Sequence, residues 1–166
     1  MPNTFTLIAS STVGAGGASS IDFTSIPSTY TDLVLRYSLR VSNSDPNCIV
    51  RFNGLSTAII SGRTLSGTGS AASSSSYTPQ SDAYGLNTIS TFTASTFSNG
   101  DLYIPNYAGS NNKSFSTDDV AENNATTGYS RLGAWLWSNT SAISSISITG
   151  SFVQYSTAYL YGIKNS

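Results

Sequence analysis

DLVLRYSLRV, residues 32–41, is the stretch that indicates the fold most directly. Its side chains alternate between apolar and polar, as in a strand that is buried on one face and exposed on the other. One face carries Leu33, Leu35, Tyr37 and Leu39, and the other carries Val34, Arg36, Ser38 and Arg40. We therefore predict a half-buried β-strand, which the chain enters through the turn at 27–28.

Similar short segments recur along the chain, each bounded by glycine, serine, asparagine or proline. The pair Asn53-Gly54 fits a tight hairpin, so we expect residues 58–64 to pair back onto residues 48–52. No window shows the apolar spacing of an amphipathic helix. The sequence thus predicts an all-β fold, an antiparallel two-sheet β-sandwich of the jelly-roll type with roughly eight to ten strands.

A chain of 166 residues is most simply one domain. We expect one β-sandwich over residues 1–166, with a short extended N-terminal segment at about residues 1–6. Residues 66–82 (SGTGSAASSSSYTPQSD) are polar and of low complexity, which favours a long exposed loop. No stretch has the ~18 apolar residues of a membrane span, so we expect no membrane partner.

The amino-acid composition argues against an enzymatic activity. Serine and threonine make up about a third of the chain, histidine is absent and charged residues are only 9%. A serine nucleophile normally needs a histidine base, and the carboxylates mostly occupy predicted turns and strand edges. We expect no enzymatic activity, no catalytic residue and no cofactor. A net charge of −1 gives no basic footprint for nucleic acid, and a charge so close to zero suits self-association.

The densest acidic patch contains Asp118, Asp119 and Glu122, with Asn123 and Asn124 beside it. Calcium prefers several oxygen ligands on an irregular loop, but the patch lacks the spacing of an EF-hand loop. We therefore interpret these acids as solvated and expect no metal site. Cys48 is the only cysteine, which excludes an intrachain disulfide and favours a small apolar core residue.

Two aromatic and two basic side chains are the candidates for contacts. Trp135 and Trp137 lie two residues apart on a predicted strand and so share a face. We favour a place in the sandwich core, with a protein interface or a stacking platform for a glycan as alternatives. Arg36 and Arg40, on the polar face of the strand at 32–41, are interpreted as solvated edges or subunit contacts.

Several motifs are familiar from one family. They are YTDLVL at 30–35, YIPNY at 103–107 with NK at 112–113, WLWS at 135–138, FVQY at 152–155 and LYGIK at 160–164. Together they resemble small virion structural proteins of tailed bacteriophages, particularly phages of cyanobacteria. The resemblance runs nearly end to end, but its motifs are structural and carry no catalytic residue.

The resemblance implies a jelly-roll module that decorates or cements the capsid. On this basis we expect a non-enzymatic protein that binds the phage major capsid protein as a homotrimer, on the outer surface of the capsid in the virion. Three modest contacts made by one trimer would act at high effective concentration. Related modules occur in tail fibres and spikes, so the alternative is a receptor-binding module for a host polysaccharide.

Overall fold

The computed structural model describes residues 4–123 and 128–164. These residues form twelve β-strands and no helix. The strands are β1 Phe5–Thr12, β2 Ala18–Phe23, β3 Asp32–Ser38, β4 Asn47–Phe52, β5 Ile60–Gly67, β6 Ala72–Gln80, β7 Ala83–Leu86, β8 Asn99–Ile104, β9 Lys113–Ala121, β10 Tyr129–Trp137, β11 Ile146–Phe152 and β12 Thr157–Ile163.

The strands form two antiparallel sheets of unequal width. The large sheet has eight strands in the order β1-β12-β3-β8-β9-β10-β5-β6, and the small sheet has four in the order β2-β11-β4-β7. Four strand pairs define the connectivity: β1 with β12, β2 with β11, β3 with β8 and β4 with β7. Along the chain, the strands of each of these pairs enclose the strands of the next pair, from β1 and β12 on the outside to β4 and β7 on the inside. This is the connectivity of a jelly roll, which confirms the predicted fold class.

Two hairpins are added to that eight-strand framework. β5 and β6 lie between β4 and β7 in the chain, and β9 and β10 lie between β8 and β11. Both join the same side of the large sheet, where β9 pairs with β8 and β10 pairs with β5. The predicted number of strands was therefore too low, because the framework alone supplies eight and the two hairpins supply four more.

The predicted loop at residues 66–82 is wrong. Most of it is β6, which pairs with β5 through a register that includes Leu65 opposite Ser74. Only a short turn at 68–71 separates the two strands, closed by a hydrogen bond from Thr68 N to Ala71 O of 3.0 Å. β6 looked like a loop because its first five residues are exposed on both faces, so no apolar alternation marks it.

The extended N-terminal segment expected at about residues 1–6 lies only partly within the described residues. Residues 1–3 lie outside the described residues, and β1 already begins at Phe5, which pairs with Ile163 of β12. The hairpin predicted at Asn53-Gly54 is not formed either. Both residues adopt positive φ, as a tight hairpin turn requires, but β5 leaves the small sheet and pairs with β10 instead.

The core lies between the inner faces of the sheets. Leu33, Leu35 and Leu39 are completely buried there, and Tyr37 is 2% exposed. The predicted buried face of residues 32–41 is thus confirmed, although β3 ends at Ser38. The opposite face is less exposed than predicted, since Val34 is only 6% exposed. The chain then leaves the large sheet, and Val41 bridges to Phe152 of β11. Cys48 is buried in the same core, as predicted.

Gly62 of β5 makes room for the largest core side chain. It lies opposite Trp135 of β10, and a Cβ atom at this position would be 2.2 Å from the indole ring. The ring cannot move away easily because Tyr77 packs on it with ring centroids 5.0 Å apart. The second tryptophan, Trp137, is packed edge-on against Phe52 with centroids 5.6 Å apart.

We expect Gly62→Ala to lower the free energy of unfolding by about 1–3 kcal/mol, because the added methyl group overpacks the core against Trp135. Urea denaturation followed by tryptophan fluorescence measures this change. Gly67→Ala is the matched control on the same strand, since a Cβ atom there meets nothing within 4 Å. Equal stability of the two variants would contradict the prediction.

Candidate functional site

The two tryptophans do not form a binding platform. Trp135 and Trp137 are 2% and 1% exposed, so their rings contact the core and leave no face for a sugar or a partner. The indole N–H of Trp135 is directed to Thr117 Oγ1 at 3.3 Å. This geometry agrees with the place in the sandwich core that we favoured from the sequence. The receptor-binding alternative stays a prediction. If it holds, the contact surface must consist of side chains other than these two rings.

Arg40 organises a loop. Its guanidinium donates hydrogen bonds to the backbone carbonyls of Phe92, Thr93 and Thr96 at 2.9–3.1 Å. These carbonyls belong to the connection between β7 and β8, which has no regular partner strand over residues 89–98. Arg40 therefore stabilises this connection, and the prediction of a subunit contact is not supported by its side-chain geometry.

Arg36 has a different environment. It lies on the outward face of the large sheet and forms an ion pair with Asp101 of β8, with Nε and Oδ1 3.2 Å apart. Both side chains are about half exposed. An exposed pair of this kind contributes little to stability. Of the four candidate residues, Arg36 alone is on a surface open to a partner.

The outward face of the large sheet carries most of the large hydrophobic side chains that are exposed in the described part of the chain. We call the exposed side chains on its strands β9, β10 and β5 the leucine patch. The patch contains Leu65, Val120, Leu132, Ala134 and Leu136. Leu65 and Leu132 face each other across the β5–β10 ladder and are 55% and 52% exposed. Exposed leucines on neighbouring strands are typical of a surface that binds another protein.

A second group of apolar side chains lies at the other side of the same face, on β1, β12 and β8. We call it the tyrosine patch, and it contains Phe5, Leu7, Tyr103, Tyr159 and Tyr161. Phe5 and Tyr161 contact each other edge to face, with ring centroids 6.4 Å apart. Tyr103 is anchored by its hydroxyl, which donates to Asp32 Oδ2 at 2.8 Å. Aromatic side chains fixed in this way are enriched in protein interfaces.

Charged groups separate the two patches. Strand pairing places Arg36, Asp101 and Asp118 in one row across β3, β8 and β9, and the row continues to Leu132. Asp101 and Asp118 are directly opposite each other, which is unfavourable in isolation. The nearby Arg36 compensates one of these charges through its ion pair. The face therefore combines two apolar areas with a charged centre that can fix the register of a partner.

The leucine patch was missed in the sequence, although its pattern was visible. Leu132, Ala134 and Leu136 alternate with Arg131, Trp135 and Trp137 along β10, so both faces of the strand are largely apolar. Alternation shows that such a strand has two faces but does not show which one is buried. The bulkier tryptophan face fills the core, which leaves the leucine face outward.

The side chains of the acidic patch do not point towards a common site. Asp118 and Asp119 are consecutive on β9, so the first points outward and the second into the core. The interpretation of these acids as solvated is therefore wrong for Asp119, which is completely buried. In the described ranges no three acidic, histidine or cysteine side chains could share a metal ion. Asn124 lies outside the described residues.

Asp119 belongs to a buried polar cluster between the sheets. The Tyr37 hydroxyl donates to Asp119 Oδ1, while Oδ2 has no hydrogen-bond partner in the described part of the chain. Gly85 and Gly100 allow this approach, because a Cβ atom at either position would overlap Tyr37. Burial raises the pKa of Asp119 to about 7, against the lowering effects of the Tyr37 hydroxyl, the Leu86 backbone amide and the Arg131 charge; the neighbouring Asp118 charge adds a small increase. Burial also raises the pKa values of Tyr37 and Cys48.

Lys113, at the opposite end of β9, is another buried charged residue. Its ammonium group donates to the carbonyls of Gly109 and Ser141 at 2.7 and 2.6 Å and lies 5.5 Å from the centre of the Trp137 ring. Burial lowers the pKa of Lys113. The side chain joins the loops before β9 and after β10, so its role is structural.

Asp119 makes the stability of the protein depend on pH. The folded state keeps this proton up to about pH 7, whereas an exposed carboxyl with a pKa of 3.8 releases it far earlier. The contribution of Asp119 to the free energy of unfolding is therefore fully present below about pH 4 and is lost as the pH rises towards 7. We expect Asp119→Asn to flatten this slope in urea denaturation across that range. Asp22→Asn, on the exposed face of β2 in the small sheet, is the control and should keep the slope. A wild-type slope of zero would refute the assignment.

The described residues contain no helix of the length and apolar character needed to cross a lipid bilayer. Comparison of the chain with protein-family models, with curated proteins and with solved structures finds no match in any of the three. The jelly-roll connectivity and the outward face of the large sheet are therefore the observations from which function is inferred.

Proposed function

We propose that this protein is a non-enzymatic structural protein of a phage virion that decorates the capsid by binding the major capsid protein. The observation that carries the proposal is the outward face of the large sheet, with the leucine patch and the tyrosine patch on either side of Arg36, Asp101 and Asp118. The identity of the partner rests on the resemblance of the sequence motifs to virion proteins of tailed phages.

The spread of apolar side chains over this face supports a broad protein contact over a small-ligand site. Its apolar side chains come from six of the eight strands of the large sheet and form rows by cross-strand pairing. Specific protein interfaces combine an apolar, aromatic centre with polar groups that set orientation. Leu65 and Leu132 have more than half of their surface exposed, so covering them with a partner would remove much apolar surface from water.

The edges of the large sheet support self-association. β1 (FTLIASST) and β6 (ASSSSYTPQ) are the two edge strands and contain no charged residue. Uncharged edge strands offer free backbone groups to another strand, and charge is a common means of preventing this. Pairing of β1 in one copy with β6 in the next would be a head-to-tail contact, which closes into a ring when the rotation allows. A homotrimer formed in this way would leave the outward faces free to bind the capsid.

We expect the double variant Leu65→Lys/Leu132→Lys to weaken binding to undecorated capsids about tenfold or more, since two exposed apolar contacts are replaced by charges. The measurement is the number of copies bound per capsid as a function of concentration. Light scattering of the free protein should give the mass of a trimer.

Thr57→Lys, in the exposed connection between β4 and β5, is the matched control and should bind like the wild type. Absence of saturable binding by the wild-type protein would refute capsid decoration. Equal binding by the double variant would show that the leucine patch is not the contact.

A further inference from the structure

Two charged side chains lie on opposite sides of the leucine patch. Asp118 of β9 is directly opposite Leu132 of β10, and Arg63 of β5 is directly opposite Ala134 of the same strand. Both charged side chains are exposed on the outward face of the large sheet. β10 thus carries the centre of the patch, with a carboxylate on one side of it and a guanidinium on the other.

These two charges do not pair with each other. β10 lies between their strands, and neighbouring strands are ~4.8 Å apart, so their Cα atoms are separated by about 10 Å across the sheet. Within the described ranges, the Arg63 guanidinium donates only to the carbonyl of Gly62, at 2.9 Å, and Asp118 forms no ion pair. Both groups are therefore available to a partner.

The position of Asp118 is unfavourable for the isolated fold. It lies directly opposite Asp101 of β8, and like charges on directly opposite residues destabilise a sheet. The nearest cation, Arg36, pairs with Asp101 at 3.2 Å and lies one strand further from Asp118. A local conflict of this kind is typical of a functional surface, on which a partner can provide the missing opposite charge.

An apolar patch with one charge on each side is selective for its partner. Covering Leu65 and Leu132 removes apolar surface from water, and it also brings the charges of Asp118 and Arg63 into the contact. A partner without complementary charges would leave these groups partly desolvated and unpaired, which is costly. A partner with its charges in the reverse order would place like charges together, which also costs free energy.

We propose that the surface bound by the leucine patch presents a cationic side chain to Asp118 and an anionic side chain to Arg63, on either side of an apolar centre. This inference rests on the proposed function, so the occupant is the major capsid protein. Because the two sides of the patch carry opposite charges, they favour one orientation on the capsid over the orientation rotated by half a turn. Asp118 and Arg63 thus determine the specificity of the contact, and the leucines contribute most of its affinity.

The test is binding of the full chain to undecorated capsids at low and at high ionic strength. At about 0.1 M salt we expect Asp118→Asn and Arg63→Gln each to weaken binding about fivefold, because each variant removes one member of a charge pair. Asp118→Lys should weaken binding about tenfold or more, since it places like charges together. These differences from the wild type should shrink at about 1 M salt, where the Debye length falls to ~3 Å.

Matched controls separate a specific contact from a general effect of charge. Asp22→Asn and Asp22→Lys make the same changes of net charge on the exposed face of β2, in the small sheet, and should bind like the wild type. Thermal unfolding separates binding from folding. Asp118→Asn should not lower the melting temperature, because it removes a carboxylate that lies opposite Asp101.

The outcomes distinguish this inference from the proposed function. Wild-type binding that neither Asp118→Asn nor Arg63→Gln weakens would overturn the inference and leave the capsid contact standing. Tighter binding by Asp118→Asn would also overturn it, since an acidic surface would then lie opposite this residue. A lower melting temperature of Asp118→Asn would assign the side chain to the framework instead. Absence of binding by the wild type would refute the proposed function, and this inference with it.

Discussion

Burial between two sheets of unequal width is the constraint on which the rest of the structure depends. The four strands of the small sheet cannot cover all eight strands of the large one. On the side of the added hairpins, two aromatic side chains cover Trp135: Tyr84 of β7, the edge strand of the small sheet, and Tyr77 of β6, with ring centroids 6.2 and 5.0 Å from the indole ring. This explains why the tryptophan face of β10 is inward, because only large rings fill the space beyond the edge of the small sheet.

The same mismatch accounts for the buried polar cluster. Asp119 lies on β9, one of the added strands, and faces β7 at the margin of the small sheet. Its pKa is raised because burial there is nearly complete, while its partners are a hydroxyl group and the more distant charge of Arg131. A carboxyl group that keeps its proton can be buried at much lower cost than an ionised one. The cluster is thus compatible with a core that has few other charged groups.

Much of the framework could be predicted from the sequence, and the failures have physical causes. Alternation in residues 32–41 and 131–137 identified β3 and β10, because each of these strands has at least one strongly apolar face. β6 could not be identified, since its backbone hydrogen bonds to β5 hold it in place while its serine side chains remain in water. The pairing partners of β5 depend on the whole sheet and leave no local signal. For the candidate site, the sequence named Arg36 but could not decide which face of β10 is outward.

The two added hairpins enter the chain at different points but widen the same side of the sheet. The core framework of eight strands closes without them, since its four strand pairs involve neither hairpin. The area of the outward face can therefore change by gain or loss of a hairpin while the connectivity beneath it stays the same. Such a change would also alter the core, because β10 of the second hairpin supplies Trp135 and Trp137, the two largest buried side chains.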